Sequence, residues 1–140
     1  MIPYGTDAPQ RVARHRLQRA DKGFETIERY TDLAHVDLQK SGVVLLECLG
    51  NLVANEMFEP GTSGSQTVQV VMDGINAIAE KAEHLIVVTN DVASDGAEYE
   101  KSVLDYVSVL GELNCRLAQD FDCVCELCCG IPIVLKGELP

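Results

Sequence analysis

The run RVARHRLQRADK sets one histidine among cations. Its polar, basic make-up, with Asp7 able to cap its start and Gly23 to end it, predicts a helix from about Asp7 to Lys22. Each helical residue turns by about 100°, so Arg11, His15, Arg19 and Lys22 would fall in one narrow sector of that helix. Such a face suits a triphosphate: guanidinium groups hold phosphate oxygens, and the imidazole nitrogen can attack phosphorus. Neighbouring cations favour the neutral, nucleophilic imidazole. The alternative is a solvated basic face with an idle histidine, the usual meaning of a charge run.

Two carboxylates extend this candidate site. Glu47 ends the apolar run VVLLE and could hold Mg²⁺, as phosphoryl and nucleotidyl transfer require; a capping or salt-bridging acid is the competing reading. Glu28, after FETI, could accept hydrogen bonds from N1–H and the exocyclic amine of a guanine, a pairing that adenine does not offer. His35 and His84 have no ligand-like neighbours in sequence and read as surface or boundary residues. The segment FDCVCELCCG holds four of six cysteines, and Cys125-x-x-Cys128 invites a zinc reading. In a strand, however, Cys125 and Cys128 would face opposite sides. Cysteine also packs as a small apolar residue, so a buried strand explains the run without metal.

The elements that must position these residues alternate. FETIE reads as a short strand, and TDLAHVDLQK as a short helix opened by Thr31 or Asp32. VVLLECL is a continuous apolar run of the kind found in central parallel strands. A helix over about Asn51 to Met57 follows, then the Pro/Gly/Ser-rich loop EPGTSGSQ. Val68, Val71, Met72, Ile75, Ile78, Ala79 and Ala82 recur at helical spacing, and HLIVVTND is a second strand with polar residues at its end. The longest amphipathic pattern runs from Glu98 to Gln119, and strands near Cys123–Leu127 and Ile133–Leu135 close the chain. This order predicts one α/β domain over residues 1–140, a doubly wound, mainly parallel sheet flanked by helices. Its ligands would bind beyond the carboxyl ends of the strands, where Glu47, Thr89, Asn90 and Asp91 lie.

Composition narrows the function classes. The 22 acidic and 11 basic residues give a formal charge of −11, which argues against nucleic-acid binding. Five of the basic residues, Arg11, Arg14, Arg16, Arg19 and Lys22, crowd into one segment, so a local anion site is compatible with the acidic whole. No apolar stretch reaches the roughly 18 residues of a membrane span, and the start lacks a signal-peptide layout. A cytoplasmic protein with reduced thiols is expected.

Taken in order, RVARHRLQR…KGFETIE, VVLLECLGNLVANEMF, LIVVTNDVASDG and LGELNCRLAQ…GIPIVLKG resemble the bifunctional adenosylcobinamide kinase/adenosylcobinamide-phosphate guanylyltransferase family. The resemblance implies a P-loop NTPase-like, RecA-type fold and a homotrimer. By the same resemblance, His15 takes GMP from GTP and passes it to adenosylcobinamide phosphate, while Arg16, Leu17, Gln18, Arg19, Glu28 and Glu47 contact the nucleotide. GTP, or ATP in the kinase step, and Mg²⁺ are the implied cofactors. The 140 residues contain no G-x-x-x-x-G-K-[ST] string; the nearest, GTSGS, has no lysine. Met1 aligns just after the family's second strand, so an N-terminally truncated, functionally impaired member with exposed apolar sheet surface is expected. A silent homologue that binds nucleotide or corrinoid, or only assembles with another subunit, is the alternative.

Overall fold

The structure is a computed structural model that describes residues 22–39, 41–61, 64–92 and 99–139. The chain divides into two compact units, residues 1–90 and 91–140.

In the first unit, β1 (Ser41–Glu47) pairs in parallel with β2 (Ala82–Val88). Parallel neighbours need a crossover of a dozen or more residues. Here it contains α1 (Leu49–Phe58), a 3₁₀ turn (Gly64–Gln66) and α2 (Thr67–Ala79). The apolar spacing anticipated α2 well: Val71, Met72, Ile75 and Ile78 are buried, as are Leu49, Leu52 and Val53 of α1. Only Glu80 and Lys81 separate α2 from β2, so Ala82, expected on the helix stripe, instead opens the strand, two residues before the expected HLIVV. Side chains alternate along each strand. Val44, Leu46, Leu85 and Val87 are half-buried, whereas Val43, Leu45, Ile86 and Val88 lie on the exposed face.

The chain ahead of β1 departs from expectation. Residues 24–30 are exposed apart from half-buried Tyr30, and among the described residues no strand pairs with FETIE. The helix expected over Thr31–Lys40 shrinks to one 3₁₀ turn, Leu33–His35, in which only Leu33 is buried. Asp32 caps this turn from a left-handed conformation, φ 55°, ψ 56°, with no side-chain capping bond. Aspartate tolerates that region better than most residues, and its neighbours hold it there. Arg29 Nε donates to the carbonyls of Thr31 (2.7 Å) and Asp32 (3.2 Å), and Arg29 Nη2 to Asp32 Oδ2 (2.6 Å). His35 Nδ1 lies 2.7 Å from Asp32 Oδ1. The turn packs on α2 at Gly74, where an added Cβ would stand 2.6 Å from Leu33 Cβ and 3.3 Å from the Ala34 nitrogen.

The second unit consists of α3 (Lys101–Asp120) and an antiparallel hairpin, β3 (Val124–Cys128) and β4 (Ile131–Lys136). Leu110, Leu113 and Leu117 are buried along one face of α3. The two-residue turn Cys129–Gly130 has positive φ at both positions, 52° and 82°. That is the I′-like geometry matching the twist of an antiparallel ribbon, which is why this pair departs from the parallel rule of the first unit. Pro132 falls inside β4, opposite Leu127, instead of separating two segments. Lys136 Nζ donates to the carbonyls of Ala118 (3.1 Å) and Gln119 (2.9 Å), placing a cation at the carboxyl end of α3. Gly137, at φ 69°, lies so close to the Asp122 carbonyl that no side chain fits. Both faces of the hairpin carry exposed apolar residues, among them Leu127 and Ile131.

Two predictions follow from this packing. Gly74→Ala should lower stability by about 1–2 kcal/mol, because displacing Leu33 outweighs the helix-propensity gain of about 1 kcal/mol. Gly111→Ala on α3, where an added Cβ meets nothing among the described residues, should raise stability by up to about 1 kcal/mol. Chemical denaturation of the two variants would test these opposite signs. Separately, the His35 hydrogen bond and the charges of His35 and Arg29 hold the Asp32 carboxyl below the usual carboxylate range, against desolvation that raises it. A folded-state pKa below the unfolded one stabilises the chain above the unfolded value, and that contribution is lost as pH falls through the folded value. NMR titration should find Asp32 ionised below the usual range in the native chain and shifted upward in His35→Ala.

Candidate functional site at the carboxyl edge of the parallel strands

Parallel pairing in register sets Glu47 opposite Val88, so β1 and β2 end at the same level. Beyond that level lie Cys48 after one strand and Thr89 and Asn90 after the other. Glu47, Thr89 and Asn90 are all exposed there. This is the edge where the sequence placed them. Asp91, the next expected member, opens the second unit. The Glu47–Cys48 peptide is cis, and α1 begins at Leu49. Asn51 Nδ2 donates to Cys48 Sγ at 3.0 Å, tying the first turn of α1 to the residue that follows Glu47.

Glu28 lies on the extended segment ahead of the 3₁₀ turn and is exposed. Tyr30 Oη donates to Glu28 Oε2 at 3.2 Å, which orients the carboxylate without burying it. His15, Arg16, Leu17, Gln18 and Arg19, together with Arg11, lie outside the described residues. Lys22 is exposed, and Gly23 beside it has φ 70°. His84 stands on the exposed face of β2 opposite Val43, and His35 is exposed apart from its Asp32 partner.

Sequence reasoning passed over two residues that the structure brings into this region. Asn55 and Glu56 of α1 are 5% and 3% exposed. Asn55 Nδ2 donates to the Tyr30 carbonyl at 3.0 Å, and Glu56 Oε1 accepts the Asp32 backbone N–H at 2.6 Å. The available signal was periodicity: Leu49, Leu52, Val53 and Glu56 follow the i, i+3, i+4, i+7 spacing of one helix face, so Glu56 occupies a core position.

The cysteines form no comparable cluster. Cys125 and Cys128 sit three residues apart on β3 and so project to opposite sides, and both are exposed, so this is not the buried strand expected of the run. Among the described residues no group of three or more His, Cys, Asp and Glu side chains could hold a metal ion. Among the described residues, Glu47 is a carboxylate at the strand edge that could contribute to a divalent-cation site, with ligand oxygens and water adding to its shell. Mg²⁺ is commonly held in that way, by one or two carboxylates plus substrate phosphates. No helix among the described residues is long and apolar enough to cross a membrane.

The family model described as cobinamide kinase / cobinamide phosphate guanyltransferase (CobU) matches residues 3–135. The bifunctional adenosylcobalamin biosynthesis protein CobU of Escherichia coli (strain K12) is 24% identical over 140 residues, an alignment covering 90% of this chain and 77% of that protein. The match takes in the basic segment, both candidate carboxylates and the strand edge, and the chain belongs to the cobinamide kinase / cobinamide phosphate guanyltransferase family.

Proposed function

We propose that this chain is a transferase of cobalamin biosynthesis that moves GMP from GTP to adenosylcobinamide phosphate through a guanylyl-histidine at His15. The observation that carries the reading is the parallel edge in a member of this family: Glu47 ends β1 level with the end of β2, beside Thr89 and Asn90. An α/β sheet of this type receives ligands at that edge.

In the proposed reaction, a neutral His15 imidazole nitrogen attacks the α-phosphorus of GTP. A P–N bond forms, the bond to the leaving pyrophosphate breaks, and the imidazole sheds its N–H proton. A phosphate oxygen of adenosylcobinamide phosphate then attacks the same phosphorus, forming a P–O–P linkage and breaking the P–N bond. The product is adenosylcobinamide-GDP, and the departing imidazole takes up a proton from solvent, which regenerates it. Arg16 and Arg19 offset negative charge on the phosphates. Leu17 and Gln18 line the same stretch, and Glu28 reads the guanine through its N1–H and exocyclic amine. Glu47 supplies the protein carboxylate for Mg²⁺, which, when bound, neutralises charge on the phosphate oxygens. Phosphorylation of adenosylcobinamide at the expense of GTP or ATP is the companion step of the same proposal, and assembly as a homotrimer in the cytoplasm completes it.

Incubation with GTP labelled at the α-phosphate should leave an acid-labile, base-stable label on the chain, lost in His15→Ala and on chelation of Mg²⁺. Glu47→Gln should slow labelling by about 10²-fold or more, the scale on which a group stabilising transition-state charge contributes. Label retained in His15→Ala would sink the assignment. Nucleotide binding without labelling would favour a silent binding homologue.

A further inference from the structure

Glu28 lies on an extended stretch outside the two sheets of the described residues. Among the described residues, the extended stretch 24–30 pairs with no strand, yet the chain just beyond it is anchored at three points. Asn55 grips the Tyr30 carbonyl, Glu56 grips the Asp32 N–H, and Gly74 receives Leu33 and Ala34 at close contact. Burial makes the two polar anchors expensive. An amide or carboxylate taken out of water costs free energy unless it is hydrogen-bonded, and among the described residues no buried side-chain nitrogen or oxygen lacks a partner. Leucine at either position would extend the apolar stripe of Leu49, Leu52 and Val53, but would leave the Tyr30 carbonyl or the Asp32 N–H without its bond. Filling space is therefore not what these side chains contribute.

What they contribute is location. Both bonds go to main-chain groups two residues apart and 24–25 positions away in sequence, so they fix the backbone whatever side chains it carries. The gripped Tyr30 in turn holds Glu28 through its hydroxyl. The helix that does the gripping begins two residues after Glu47. One rigid element thus sets the candidate base-reading carboxylate relative to the candidate Mg²⁺ carboxylate.

We infer that Asn55 and Glu56 are positioning residues that set where Glu28 meets the purine, and so govern discrimination between guanine and adenine nucleotides. This rests on the guanine-reading role given to Glu28 above. Paired hydrogen bonds to a base tolerate little displacement, and discrimination of this kind falls when the protein groups no longer meet the base squarely.

The test is the ratio of the Kd for ATP to the Kd for GTP, measured by titration on the full chain. Asn55→Leu and Glu56→Leu should each reduce that ratio by about tenfold or more, as should Glu28→Ala. Glu56→Gln keeps an amide oxygen to accept the Asp32 N–H and should retain the ratio. Asn55→Asp keeps the shape but loses the donor to Tyr30, and should not retain it. A thermal midpoint near that of the native chain in the leucine variants, together with the lost ratio, separates positioning from simple unfolding. An unchanged ratio in folded Asn55→Leu and Glu56→Leu, with the ratio lost in Glu28→Ala, would overturn the positioning role alone. If the leucine variants do not fold, equal ratios in Asn55→Asp and Glu56→Gln would overturn it instead. A native ratio in Glu28→Ala, or no guanine preference in the native chain, would overturn the guanine contact and the positioning role together.

Discussion

Parallel pairing of β1 with β2 is the constraint from which the first unit follows. Two parallel strands cannot be closed by a hairpin, and the chain must return to the same end before the second begins. Residues 48–81 make that return and supply α1 and α2, whose buried faces, Leu49, Leu52 and Val53 on one and Val71, Met72, Ile75 and Ile78 on the other, form the core of the unit. Because both strands run the same way, their polar ends coincide. Glu47 and the Thr89–Asn90 pair are neighbours for that reason, although some forty residues separate them in sequence.

Set into this apolar framework are specific polar contacts. Asn55 and Glu56 interrupt the inner face of α1 to hold main-chain groups that no ladder holds, and Gly74 lets the 3₁₀ turn approach α2 more closely than any side chain would allow. The second unit uses the same two devices. Lys136 bonds the last carbonyls of α3, and Gly137 admits the Asp122 carbonyl into the space a side chain would fill. In both units a hydrogen bond to the backbone and a missing Cβ settle where an irregular segment runs.

Much of this was legible in the sequence where burial imposes a period. The runs VVLLE and LIVV, the stripe from Val68 to Ile78 and the amphipathic pattern ending near Gln119 all became the expected strands and helices. The expectation failed where burial is slight. FETIE has the composition of a strand but, among the described residues, no ladder, and TDLAHVDLQK buries only Leu33 in its one turn, so neither shows a periodic face. At the candidate site, Glu47 was readable from its place at the end of an apolar run. The anchoring of Glu28 was not, because it depends on side chains more than twenty residues away. Glu56 looks like an ordinary surface glutamate until the helix phase is drawn from Leu49. His15 and its neighbours fall outside the described residues, and the role proposed for them rests on the sequence, where one histidine stands among cations.

The alternation of β1 also bears on how its length can change. Glu47 projects to the same side as Val43 and Leu45, opposite Val44 and Leu46. Inserting one residue between Val44 and Leu45 would swing the carboxylate to the other side of the sheet. Inserting two would restore its side but push the start of α1 forward by about 6–7 Å along the strand, dragging Asn55 and Glu56 from their partners. Insertions and deletions should therefore be tolerated around Gly61, after α1 has ended, and excluded from the strand itself, where parity and distance are both spoken for.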